Sequence, residues 1–277
     1  MHVRAKQLLL LTNTIMSSSD DVKILCLIPA RSGSVTVRHK NVRLLNGVPL
    51  LAYSIRQAME SRYASQMRII VSTDSSEYAK IACTWGADCP FLRPQEISGP
   101  LSTDLDCMVH SIEWLKTHED YKPDVLLHLR PTQPLRKVED IDNCIEIFLS
   151  KRSAYDSLRS VVEVEKSPFK MYTIETTRTE ELHLKPLFDE LDGLVEPFNM
   201  GRQVLPRAYL HNGYIDIVNV EVIIRGKLSG ENVYPYVMTK EATVDIDTED
   251  DWCRAELLLS SDLETRGTNN QCEHSSR

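Results

Sequence analysis

Three short, nearly continuous apolar runs set the frame of this chain: KILCLIP at 23–29, MRIIVS at 67–72 and DVLLHL at 124–129. Runs of this length with so few polar breaks are strands buried on both faces. Each is followed by a stretch whose apolar residues recur at helical spacing, predicting helices over 49–60, 75–85, 103–117 and 138–149. A short strand is also expected at 89–92. Strand alternating with helix predicts an α/β fold, a doubly wound, mostly parallel sheet. Ligands of such sheets bind beyond the carboxyl ends of the strands. That marks the loops starting at Arg31, Thr73 and Arg130 before any motif is read.

The rhythm breaks near Val161. Residues 163–197 carry charges, prolines and little periodicity, which predicts an excursion from the core, a lid or a subunit-contact arm. Order returns with strands at 209–218, 233–237 and 242–246, a short helix at 221–225 and a terminal helix at 249–260. The expected organisation is a disordered extension over 1–22, one domain over 23–260 with the arm inserted at about 163–200, and a flexible tail over 261–277. Arg4 and Lys6 precede Leu8–Leu11, but no cleavage signature follows, so the extension is not read as a signal peptide. No apolar run is long enough for a membrane span.

Charge and cysteine usage exclude several classes. Net charge is −8, with 40 acidic against 32 basic residues, and aromatics make up 6%. A basic nucleic-acid binder or a stacking platform for single strands does not fit. The seven cysteines are odd in number, lack a CxxC pair and mostly sit in apolar runs. They read as reduced core residues, which predicts a cytoplasmic protein.

Four stretches carry chemistry. Ile28 to Ser34, with Lys40 and Asn41, is a strand opening into a small-residue loop, which offers backbone N–H groups and two cations to an anion. It matches neither the Walker loop nor the dinucleotide fingerprint, and a tight turn with solvated basic residues gives the same letters. LRPTQPLR at 129–136 fixes a backbone with two prolines, either as a pocket wall or as a stiff helix cap. In VDID at 244–247 the two aspartates are two apart, so in an extended segment they project to one side, and hard oxygens suit Mg²⁺. Asp247 or Thr248 could equally cap the helix that follows. GRQVLP at 201–206 and HNGY at 211–214 combine a cation, amides and a tyrosine suited to a polyhydroxylated, anionic ligand.

In order and spacing these stretches resemble the acylneuraminate cytidylyltransferases, which activate sialic acids with CTP. The landmarks are IPARSGS (28–34), KN (40–41), VSTD (71–74), FLRP (91–94), LRPTQPLR (129–136), RQVLP (202–206), NGYIDI (212–217) and DIDT (245–248), covering about 23–260. The Kdo-activating cousins have a different opening loop, and RSGS with the arginine before PTQPLR resembles members activating legionaminic or related nonulosonic acids. The resemblance implies a Rossmann-like nucleotidyltransferase fold and a homodimer in which the arm reaches the neighbour. Arg31, Ser34, Lys40 and Asn41 would hold CTP phosphates and sugar. Arg93 and the Ser102-Thr103-Asp104 segment would read cytosine. Arg130, Gln133, Lys170, Arg202, Gln203 and Asn212 would line the acyl-sugar site. Asp245 and Asp247 would hold Mg²⁺, with Arg31, Lys40 and Asp247 carrying catalysis. The implied reaction joins the anomeric hydroxyl of a nine-carbon 2-keto acid to the α-phosphorus of CTP and releases pyrophosphate.

Two departures stand out. The family usually continues its first loop as GSKG, whereas Val35 and Thr36 stand here, so a cation and a flexible position are missing. Arg38 or His39 is the expected replacement for the charge. Asp104 stands where the family often has a small hydroxyl; it could accept from the cytosine amine, or Thr103 could take that contact. A catalytically silent nucleotide- or sugar-binding homologue is the alternative reading. A glycosyltransferase using DID as its metal motif is a third, disfavoured by the IPARSGS loop.

Overall fold

A computed structural model describes residues 22–34, 36–176, 178–239 and 244–272, with side chains as far as Ser261. Val35, Thr177, residues 240–243 and 273–277 and, but for residue 22, the expected extension over 1–22 lie outside the described residues. The strands are β1 (Ile24–Pro29), β2 (Leu44–Leu45), β3 (Val48–Pro49), β4 (Met67–Ser72), β5 (Val125–His128), β6 (Ser157–Glu163), β7 (Tyr172–Thr176), β8 (Leu182–Pro186), β9 (Glu190–Leu191), β10 (Leu194–Val195), β11 (Tyr209–Asn219) and β12 (Val233–Met238). The helices are α1 (Leu50–Glu60), α2 (Ser76–Thr84), α3 (Asp104–Glu119), α4 (Val138–Lys151), α5 (Val220–Ile224) and α6 (Glu249–Cys272).

The central sheet has the order β12-β6-β11-β5-β1-β4. β1 pairs in parallel with β4 on one side and β5 on the other, and β11 runs antiparallel to β5. The chain therefore leaves β1 toward β4 and returns to its other edge at β5, which makes the carboxyl end of β1 a topological switch point. Successive residues of β1 face opposite ways. Leu25 and Leu27 pack with Ile70, Leu126 and Met108, Ile112 and Leu115 of α3. All of these are buried.

A second apolar cluster fastens the loops above the sheet. Val37, Leu45, Leu50, Val244, Ile246, Trp252 and Ala255 are buried together. Full burial of a Trp or Ile side chain contributes roughly 1.5–3 kcal/mol, so this cluster is strong enough to pin the loop after β1 against 244–247. Asn46 and Gly47, both at positive φ (48° and 80°), make the two-residue turn between β2 and β3. That Asn-Gly pair is a hairpin signal the sequence reading did not take up.

The boundaries of β4 agree with the sequence reading, and α1 begins one residue later than expected, after the hairpin. The expected strand at 89–92 is absent: only Asp88 makes a single bridge, to Ile70, and Pro90 has no N–H to extend a ladder. Val244–Asp247 belong to no strand, and 242–243 lie outside the described residues. β6 was not foreseen, because Ser157 and Ser160 are buried polar positions that blur its alternation. The terminal helix runs on to Cys272 rather than ending at 260, over a stretch, SSDLETR, with no proline to stop it.

The described residues divide into two compact units, the first within 1–160, 213–236 and 242–277, the second within 161–212 and 237–241. The second contains the stretch read as an arm. Its β7 and β8 form an antiparallel hairpin with Ile174 opposite Leu184 and Thr176 opposite Leu182. Directly paired residues share a face. One face is thus Tyr172, Ile174, Leu182 and Leu184, and all four are exposed. The other carries Glu175 and Lys185, joined at 3.1 Å.

Candidate active site

Three loops meet at the carboxyl end of the parallel strands. The loop after β1 is tied to that after β4: Ser32 donates to the Asp74 carboxylate through its backbone N–H (2.7 Å to Oδ1) and its hydroxyl (2.6 Å to Oδ2). Arg31 Nη1 donates to the Gly99 carbonyl at 2.6 Å, fixing the approach to α3. Asn41, nearly buried, closes the loop by donating to the Arg31 carbonyl at 3.0 Å. Val37 is fully buried and anchors the loop, while Arg38 and His39 on either side of the next turn are exposed. His39 Nδ1 lies 3.0 Å from the Tyr78 hydroxyl. Arg38 makes no ion pair among the described residues.

The DID segment presents its two aspartates apart from the cap of the helix that follows. Val244 and Ile246 are buried while Asp245 and Asp247 are exposed, so both carboxylates leave the same side. Ile246 N–H donates to the Thr132 carbonyl at 2.9 Å, joining this segment to the LRPTQPLR loop. Thr248 is the helix cap: its hydroxyl accepts from Asp251 N–H at 3.2 Å and Asp251 Oδ2 accepts from Thr248 N–H at 2.8 Å, a capping box. Asp247 is therefore free of capping. Lys40 Nζ donates to Asp247 Oδ1 at 3.1 Å and to the Ile246 carbonyl at 2.8 Å.

Lys40 contacts Asp247 of the pair, while Asp245 is hydrogen-bonded by Thr132 and lies in the field of Lys40 and Arg130. Although Asp245 opens to solvent, the protein packed around it pushes its carboxyl pKa up, and the charge of Asp247 adds to this, against a Thr132 hydrogen bond and Lys40. A divalent cation would relieve that repulsion, so the pair fits a metal. No group of three His, Cys, Asp or Glu side chains able to hold a metal is found among the described residues. An ion here would take its remaining ligands from water and substrate, as Mg²⁺ does in phosphoryl-transfer sites.

Arg93 is buried, with Nε 3.0 Å from Ser72 Oγ and Nη2 2.6 Å from the Ser72 carbonyl. It stiffens the end of β4. Thr103 caps α3 through a capping box with Asp106, so its hydroxyl is engaged. Asp104 follows as the first helical residue, its Oδ2 accepting from Arg130 Nη2 at 2.9 Å. Arg130 Nη1 donates to Asp216 Oδ2 at 2.7 Å. Both ends of the Arg130 guanidinium are thus held by carboxylates. Gln133 is buried in the same loop. Lys170, Arg202, Gln203 and Asn212 belong to the second unit: Lys170 ends a 3₁₀ turn, and Asn212 Nδ2 lies 3.6 Å from Met238 Sδ.

Four residues with structural work at the site were given no role from sequence: Asp74, His128, Arg136 and Asp216. Three stand inside motifs already singled out. Arg136, the last letter of LRPTQPLR, is buried and donates to the Tyr214 carbonyl (2.6 Å), Gln57 Oε1 (2.8 Å), Ser54 Oγ (3.1 Å) and the Arg130 carbonyl (2.8 Å). Burial, with the charge of Arg130 acting the same way, lowers its pKa to about 10. His128 is fully buried opposite Asp216, and burial lowers its pKa to about 4, so it is neutral near pH 7.

The cytidylyltransferase family model matches residues 25–195. The N-acylneuraminate cytidylyltransferase of Streptococcus agalactiae serotype V is 34% identical over 83% of this chain, which spans 52% of that protein's length. The CMP-N,N'-diacetyllegionaminic acid synthase of Legionella pneumophila is 32% identical over 88% of this chain and 99% of its own length. The solved structure of a CMP:2-keto-3-deoxy-manno-octonic acid synthetase complexed with CTP superposes with a TM-score of 0.62 at 13% identity, over 87% of this chain and 99% of that one, a likeness of fold. Relatives named as synthases and transferases give no support to a catalytically silent homologue. With the family model matching residues 25–195 and relatives of 32–34% identity over more than four fifths of its length, the chain belongs to the cytidylyltransferase family.

Proposed function

We propose that the chain transfers CMP from CTP to the anomeric hydroxyl of a nine-carbon 2-keto acid of the N-acylneuraminate or legionaminate type, releasing pyrophosphate. The observation that carries this reading is the Asp245–Asp247 pair, free of capping, with Asp247 joined to Lys40 of the loop pinned at the end of β1. Mg²⁺ held by Asp245 and Asp247 would neutralise charge building on the reacting phosphate. Lys40 is placed to exchange its contact with Asp247 for a phosphate oxygen, and Arg31 adds a second cation. Ser34 lies on the same loop, which Asn41 closes. Gly33 supports a phosphate there: it has no positive φ, and an added Cβ would meet nothing within 4 Å. The chain's own packing gives no reason for that glycine, whereas a bound anion approaching the backbone does.

The acid would be held by the amide and cationic side chains that the resemblance assigns to it. A homodimer formed through the apolar hairpin face, in the cytoplasm, completes the reading; the six cysteines with described side chains form no disulfide. The test is incubation with CTP, Mg²⁺ and a panel of nonulosonic acids, measuring pyrophosphate. Release with a sialic- or legionaminic-type acid, and not with an eight-carbon acid, is expected. No release with any acid overturns the proposal.

A further inference from the structure

The start of the loop after β1 is fixed residue by residue. Arg31 is held at its carbonyl by Asn41 Nδ2 (3.0 Å) and at its guanidinium by the Gly99 carbonyl (2.6 Å). Ser32 N–H donates to Asp74 Oδ1 at 2.7 Å, and Ser32 Oγ donates to Asp74 Oδ2 at 2.6 Å. The Ser32 carbonyl accepts from Ser34 N–H at 3.0 Å. Every polar group of Ser32 is therefore engaged inside the protein. Of the backbone N–H groups at 32–34, only that of exposed Gly33 makes no hydrogen bond among the described residues. A carboxylate only accepts, so the Ser32 hydroxyl must give its proton to Asp74. That oxygen is left with lone pairs, which a phosphate oxygen would meet unfavourably.

Asp74 itself stands on a rigid turn. The preceding Thr73 is fully buried; its carbonyl accepts from Arg93 N–H at 2.7 Å and its hydroxyl from Ser75 N–H at 3.2 Å. Ser75 caps α2, accepting from Tyr78 N–H at 3.4 Å. Ala30 N–H donates to the Ser72 carbonyl at 2.9 Å, so β1 and β4 stay in register up to the start of both loops. No cation pairs with Asp74 among the described residues; both of its oxygens go to Ser32. An unpaired carboxylate beside a loop that offers N–H groups and cations opposes anion binding through its charge. Its placement there has to be explained by what it holds.

We infer that Asp74 is a positioning residue: its two-point grip on Ser32 sets the loop so that the Gly33 N–H is open to a phosphate, and Ser32 itself binds none. The inference rests on the proposed triphosphate site and deepens it. The two effects of Asp74 have opposite signs. As a charge it repels CTP, so its removal tightens binding. As a grip it shapes the loop, so its removal weakens binding. Asp74→Ala removes both. Asp74→Asn removes the charge and keeps the grip, with Oδ1 accepting from Ser32 N–H and Nδ2 donating to Ser32 Oγ.

Binding of CTP, with Mg²⁺ and without acid, is measured by titration calorimetry beside the melting temperature for the parent, Asp74→Ala, Asp74→Asn and Ser32→Ala. Asp74→Ala is expected to raise the Kd for CTP about tenfold or more, the effect of losing hydrogen bonds to a charged group. Asp74→Asn should restore the parent's affinity or exceed it. Ser32→Ala keeps the backbone bond and should fall between the parent and Asp74→Ala. Tighter binding in Asp74→Ala would make Asp74 a charge alone, and a lowered melting temperature with the parent's Kd would make it a fold tether alone; either overturns the inference. So does an Asp74→Asn variant as weak as Asp74→Ala. A Ser32→Ala variant weaker than Asp74→Ala would make the hydroxyl a phosphate ligand and overturns it too. Should Asp74→Ala not fold, Ser32→Ala decides, and the parent's affinity in that variant overturns the inference. The expected pattern with no pyrophosphate from any acid would sink the proposed function and leave this inference standing. A parent that binds no CTP overturns both.

Discussion

At the residue scale, the exposure of Asp247 separates a catalytic role from a structural one. Its side chain is 73% exposed, and its pair with Lys40 is a surface ion pair of the kind worth about 0–1 kcal/mol. Asp247→Asn should therefore leave thermal stability nearly unchanged. Loss of a metal carboxylate from a phosphoryl-transfer site should still cut kcat by on the order of a hundredfold or more. Near-normal turnover at low Mg²⁺ would remove Asp247 from the metal site. Thr248→Ala is the matching control: it should cost about 1 kcal/mol of stability through the cap. Asp245 adds a pH dependence. Its folded pKa is raised, so the folded state holds that proton more tightly than the unfolded chain, and stability from this group is gained as pH falls and lost as pH rises through the folded value. Metal binding needs the ionised form, so Mg²⁺ affinity should begin to weaken, as pH falls, above the ordinary aspartate range. A Mg²⁺ titration across pH checks this; an acid limb at or below the usual range contradicts it.

At the scale of elements, the loop after β1 is set by one buried residue and several tethers. Burying Val37 turns Arg38 and His39 outward. His39 is engaged with Tyr78, which leaves Arg38 as the cation able to replace the missing lysine. Arg38→Ala should lower kcat/KM for CTP by about tenfold to a hundredfold, the worth of a charge-assisted contact of about 1.5–3 kcal/mol. Val35→Lys with Thr36→Gly should change it little. A large gain from that double substitution would mean that the natural loop is deficient. The neighbouring elements were partly legible in the sequence. β1, β4 and β5 announce themselves because strands buried on both faces need unbroken apolar runs. β6 does not, since its Ser160 is buried to accept a hydrogen bond from Ile215 N–H. The hairpin over 172–186 does alternate apolar with polar residues, but over too few positions in each strand to stand out from the charged stretch around it.

At the scale of the whole molecule, the hairpin face of Tyr172, Ile174, Leu182 and Leu184 is an apolar surface left exposed by the described residues. Ile174 is 68% and Leu182 75% exposed, and clustered apolar side chains of this kind mark contact surfaces. Light scattering at micromolar concentration should give a particle near twice 31.6 kDa, and Leu184→Asp should shift it toward the monomer. A monomeric parent would overturn the dimer.

The sequence by itself determined the alternating α/β order and marked the three loops that the structure brings to the carboxyl ends of the parallel strands. Those features follow from local period and from motifs that neighbours in the chain can spell out. Only the tertiary structure decided that Thr248 rather than Asp247 caps the last helix, that Thr103 is committed to its own cap and that Arg130 is held between Asp104 and Asp216. The last of these joins residues 26 and 86 positions apart. Such partnerships depend on which strands lie side by side, and the sheet order that brings β11 beside β5 is not written in any local pattern.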